Sequence, residues 1–116
     1  MNKHVAILIY LLMDIAWISL NAKFYNKSIR KIQNKDIKIK TIPALLSYAL
    51  LVLNIYTILI PRLKNKWEFS LSGLIIYGVY NMTNLATIED YTVEMSIIDT
   101  FWGAFSHFFI GYLILG

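Results

Sequence analysis

Residues 5–22 read VAILIYLLMDIAWISLNA, and the only charged side chain among them is Asp14. A helix needs about 17–25 predominantly apolar residues to cross a bilayer, and this stretch has that length and character. A secretory signal peptide is the competing reading. It is disfavoured because Asp14 interrupts the apolar run and no small-residue cleavage site follows.

Working outward, three further apolar stretches follow at residues 41–60, 69–87 and 97–115. Pro43 suits a first helical turn, and Pro61 is expected to close the second stretch. Composition agrees with a membrane class. The chain has 116 residues, 58% hydrophobic and only 16% charged, with a mean hydropathy of +0.56; soluble domains average about 25% charged. So small a globule could not hide that much apolar surface. The expected fold is all-α: a polytopic membrane protein with four transmembrane helices in one bundle, a single membrane domain over residues 1–116. A soluble enzyme, a disordered tail and a nucleic-acid-binding domain are poor fits. The +4 net charge reflects basic connections beside spans and calls for no nucleic-acid partner. Cys is absent, which removes disulfides, thiolate metal sites and cysteine nucleophiles.

The connections suggest an orientation. The basic loop 23–40 holds Lys23, Lys27, Arg30, Lys31, Lys35, Lys38 and Lys40 against Asp36, while the third connection holds Glu89, Asp90 and Glu94 and no base. These two share one side if there are four spans, giving it seven Lys/Arg against four elsewhere. The positive-inside rule then places both termini on the non-cytoplasmic side. Phe24, Tyr25, Ile29 and Ile32 interleave the bases of the first loop. The simpler reading is a solvated loop; the other is a short amphipathic helix on anionic lipid headgroups.

Polar residues inside the spans carry whatever chemistry there is. Asp14, Trp17 and Asn21 share one helix face by spacing; Tyr80 or Asn81 and Asn84 form a second stripe, and Asp99 and Trp102 a third. The tetrapeptides Asp14-Ile-Ala-Trp17 and Asp99-Thr-Phe-Trp102 echo one another. His107 stands without a second His or a Cys nearby, and no HExxH, nucleophile motif or phosphate-binding glycine loop is present. No metal, cofactor or catalytic residue is therefore expected. Gly103, His107 and Gly111 recur every four residues, the spacing of a packing face.

The combination Asp14-x-x-Trp17, Pro43-Ala44-Leu45-Leu46-x-Tyr48, Tyr80-Asn81-x-Thr83-Asn84-Leu85-Ala86-Thr87 and Asp99-x-x-Trp102-Gly103 resembles the domain-of-unknown-function 2177 family of small membrane proteins. The resemblance covers nearly the whole chain and implies four spans without supplying an activity. The family usually has Asp where this chain has Asn81; if that acid serves a proton or cation pathway in relatives, the role is weakened here.

The first functional reading is a structural or interaction component of the lipid bilayer, its intramembrane polar residues holding the bundle together. The alternative is a small transporter or channel-like protein for a proton, cation or polar solute. Its pocket would lie around Asp14, Asn84 and Asp99, walled by Trp17 and Trp102, with Asn21, Tyr80 and Asn81 nearby. Four spans enclose little space, so a pore implies a homo-oligomer. An intramembrane enzyme is a third and weaker reading.

Overall fold

The computed structural model describes all residues, 1–116. It holds five helices and no strand. Helix α1 is Lys3–Leu20, α2 is Ala22–Gln33, α3 is Thr41–Arg62, α4 is Lys66–Thr87 and α5 is Val93–Leu115. Three of them, α1, α3 and α5, are long and apolar enough to cross a membrane. The fourth expected span, α4, has the length: 22 residues rise about 33 Å. It lacks the apolarity of the other three, because Asn81, Thr83 and Asn84 sit in its last turns and Lys66 and Glu68 in its first. A multi-pass membrane protein is what this architecture supports.

The small core mixes apolar and polar side chains, and large apolar ones lie on the outside. Only 19 of 116 residues are buried, and Asp14, Asn81, Ser96, Ser106 and His107 are among them, while Leu8, Leu12, Leu45, Leu50 and Phe101 face outward. Lipid solvates those apolar faces, so the interior is free to hold the polar groups.

Local chemistry sets the helix ends. Asn2 accepts from the His4 and Val5 amides, Asn65 from Glu68 and Thr92 from Met95, each an N-cap satisfying a free N–H. Between α1 and α2 the chain breaks only at Asn21, whose backbone and side-chain N–H groups both donate to the Trp17 carbonyl at 3.0 Å. Most of the basic stretch is thus helix, which corrects the simpler loop reading. Its bases Lys23, Lys27, Arg30 and Lys31 fall on one exposed face, and Tyr25, Ile29 and Ile32 on the opposite, half-buried one. Asn34 ends α2 in a left-handed conformation, φ 59°, which asparagine tolerates better than most residues. Beyond it Arg30 pairs with Asp36, and the guanidinium holds that carboxyl below the ordinary carboxylate range. The pair therefore persists until pH falls through that lowered range.

Pro61 does not close α3 where the sequence suggested. A π-turn over Ile55–Leu59 precedes it, and the helix continues to Arg62. Proline cannot donate to the carbonyl four residues back; that oxygen, on Thr57, accepts from the Arg62 guanidinium at 2.7 Å instead.

Helices α4 and α5 form the tightest pair, packed along their length. At one end of the bundle Ala6, Ile7 and Tyr10 of α1 meet Ile55 and Leu59 of α3, Phe69 of α4 and Ile110 of α5 in a closed cluster. At the other end α3 splays: no residue of Thr41–Asn54 is buried. That splay opens the site.

Candidate functional site

Asp14 lies six residues from the end of α1, Asp99 six after the start of α5, Asn81 six before the end of α4 and Tyr48 seven into α3. At 1.5 Å per residue each stands about 9–10 Å inside the same end of the bundle. Asp99 is therefore level with Asp14. Helix α5 begins at Val93, four residues before the stretch expected at 97–115, and that extra turn sets Asp99 at this depth.

The two echoing motifs serve one another. The Trp102 indole N–H donates to Asp14 Oδ1 at 2.8 Å, and the Tyr48 hydroxyl donates to Asp14 Oδ2. The Trp17 indole donates to the Tyr25 hydroxyl at 3.0 Å, which donates to Asp99 Oδ1 at 3.1 Å. Each Trp thus serves the other motif's carboxylate, one directly and one through Tyr25. The two indoles stack, centroids 4.3 Å apart and planes within 5°, an arrangement worth about 0.5–1.5 kcal/mol beyond buried area. Asp99 Oδ2 accepts from Asn81 Nδ2 at 2.7 Å, and Asn81 Oδ1 accepts from the Tyr91 hydroxyl at 2.8 Å. Burial holds the Tyr25 and Tyr91 phenols protonated above their usual range, so both act as donors.

All of these groups but the fully buried Asn81 line a cleft of about 980 Å³ bounded by α1, α2, the 34–40 segment, α3 and the α4/α5 pair. Its walls are mostly apolar or aromatic, with Ile15, Ile18, Ile29, Tyr77 and Tyr80 beside Asp14 and Asp99, and Lys23 and Asp36 at exposed positions of the lining. Ile37 and Ile39 close the rim, the first pinned by its amide donating to Asn26 at 2.8 Å. Below the floor the polar character continues briefly and then stops. Tyr10 and Tyr77 set their rings edge-on to His107, and the buried Tyr10 hydroxyl and His107 Nε2 have no partner. His107 Nδ1 meets the Gly103 carbonyl at 3.0 Å, the part of a packing residue. Beyond it lies the closed apolar cluster.

Of the residues singled out by sequence, Asp14, Trp17, Asn81, Asp99 and Trp102 meet at this floor. Tyr80 borders the cleft with 61% of its surface exposed. Asn21 serves as the α1 cap, and Asn84 is half-buried outside the cleft lining. Tyr25, Tyr48 and Tyr91 were not assigned to the site from sequence. Only Tyr48 carried a signal, as part of the family motif, because a hydroxyl donor 74 or 34 residues distant from its carboxylate leaves no trace in local spacing.

A family model described as a predicted membrane protein (DUF2177) matches residues 3–114, which bears out the resemblance read from the motifs. No curated protein and no solved structure matches the chain.

Proposed function

Because the chain belongs to the DUF2177 family of predicted membrane proteins, we propose for it a four-span protein that binds a small molecule in a one-sided intramembrane cleft, as a transporter or its binding component. The observation that carries this reading is the cleft itself. About 980 Å³ is at the upper end of small-molecule pockets, roughly 300–1,000 Å³, which favours an occupant over packing alone. The closed cluster of Ala6, Ile7, Phe69 and Ile110 beyond the floor favours a binding site with one mouth over an open pore. Passage to the other side then requires a rearrangement of α3 or a second copy of the chain.

With α4 counted as a span, the positive-inside rule gives the cleft a cytoplasmic mouth and both termini the opposite side. The exposed Lys23, Lys27, Arg30 and Lys31 of α2 then lie at the headgroups, where each base contributes about 1 kcal/mol on an anionic surface. The structural reading is favoured at one residue, Asp14, which is buried as well as hydrogen-bonded at both oxygens.

Tyr80 and Val79 provide the test, since they are 61% and 62% exposed but only Tyr80 borders the cleft. In this chain without cysteine, Tyr80→Cys reacts with an impermeant thiol reagent in opened membranes, and Val79→Cys, facing lipid, does not. If both stay silent while a Lys31→Cys control reacts, the cleft holds no water and the binding reading falls.

A further inference from the structure

We infer that the cleft takes a lipophilic organic cation, its charged centre held between Asp99 and the surrounding aromatic rings. The inference rests on the reading of the cleft as a binding site and adds the class of occupant.

Asp14 and Asp99 stand at the floor, and neither has a basic partner; the single ion pair of the chain joins Arg30 to Asp36 on the exposed 30–36 segment. Ionised carboxylates at membrane depth are costly without compensation. The two acids differ in what they can offer. Asp14 is 5% exposed and enclosed by Trp102 and Tyr48. Both border the cleft and each of their oxygens accepts one hydrogen bond, but Asp99 is only half-buried, which leaves its spare lone pairs within reach. The exposed flank of Asp99 is the one a cation reaches.

The walls select the kind of cation. A hard metal ion calls for six or more oxygen ligands, whereas these walls are chiefly carbon. Trp17, Tyr48, Tyr77 and Tyr80 line the same space, and aromatic faces attract ammonium-type centres within about 6 Å. An anion would meet two carboxylates at the floor, the one base of the lining being Lys23 at an exposed position, and a neutral hydrocarbon would leave the floor charge uncompensated. A cation with an apolar body satisfies the charge and the walls together.

Tetraphenylphosphonium and tetraphenylborate have nearly the same shape and opposite charge, which makes them the probes. Trp67 is 68% exposed at the far end of the bundle against Phe108, so Trp67→Phe leaves Trp17 and Trp102 as reporters. Tetraphenylphosphonium is expected to quench their fluorescence saturably in the detergent-solubilised full chain, and tetraphenylborate to bind about tenfold or more weaker. Asp99→Asn keeps the geometry, since its amide can donate to Tyr25 and its oxygen accept from Asn81, and removes the charge. It is expected to weaken tetraphenylphosphonium about tenfold or more without changing the elution volume of the folded protein. Equal affinity for the two probes, or an unchanged affinity in Asp99→Asn, overturns the inference. The probe comparison needs only the unaltered cleft, so it decides even if Asp99→Asn fails to fold. Labelling of Tyr80→Cys with neither probe bound leaves the cleft standing and removes the cation; silence of Tyr80→Cys removes both.

Discussion

Gly73→Ala destabilises the bundle by on the order of 2–3 kcal/mol, the upper part of the usual overpacking range, in a reversible unfolding titration in mixed micelles. A Cβ at Gly73 would lie 2.2 Å from the Gly103 carbonyl oxygen and 2.6–2.7 Å from the His107 side chain. The first neighbour is backbone, so no rotamer change relieves the clash and α4 and α5 must move apart. Gly78→Ala on the same helix is the control. Its nearest neighbour would be Thr100 Cγ2 at an ordinary 3.7 Å, and a surface-like substitution of this kind stays within about 0.5 kcal/mol. Alanine is the better helix former, so equal losses in the two variants would show that the close approach at Gly73 does not set the cost.

Asp14→Leu costs about 2–4 kcal/mol in the same titration, because two buried or half-buried donors lose their acceptor at about 1–3 kcal/mol each. The Trp102 indole can only donate, whereas the Tyr48 hydroxyl can donate or accept. Asp14→Asn therefore remains satisfiable: its oxygen takes the Trp102 N–H, and its amide donates to Tyr48. It is expected to stay within about 1 kcal/mol of the wild type, in keeping with the modest worth of interhelical hydrogen bonds in membranes. A loss in Asp14→Asn as large as in Asp14→Leu would mean that the charge, rather than the hydrogen-bond geometry, holds α1 and α3 to α5. Together with Asp99→Asn, this pair separates a carboxylate that locks helices from one that faces a ligand.

Asn81 ties α4 to α5 and to the connection between them. Its amide donates both to Asp99 and to the Tyr77 carbonyl at 2.8 Å, and its oxygen accepts from Tyr91. An aspartate in that place would face Asp99 carboxyl to carboxyl, a contact that requires a proton on one of the two. The amide of this chain satisfies the same contact with no proton to exchange.

What the sequence determined by itself follows from local quantities. Hydropathy over windows of about 18 residues gave the membrane class, and helical spacing put Asp14 with Trp17, and Gly103 with His107 and Gly111, on shared faces. Those faces are fixed by 3.6-residue periodicity whatever the helices later touch. The family match over residues 3–114 was legible for the same reason, since its motifs are short and contiguous. Boundaries were less legible: the caps at Asn65 and Thr92 start α4 and α5 before the apolar runs begin, and the Arg62 bond to Thr57 carries α3 past Pro61.

Tertiary structure alone decided the site. Which carboxylate each tryptophan serves depends on pairing between α1 and α5, groups 88 residues apart for Asp14 and Trp102. The entry of Tyr25 depends on α2 folding back from Asn21, and the cleft exists because the Thr41–Asn54 half of α3 buries nothing. Spacing along one helix carries no information about its partner or its tilt, because both are set by side chains on other segments. Asp14 and Asp99 look equivalent in sequence, each in an Asp-x-x-Trp motif, and differ only in what the neighbouring helices leave uncovered.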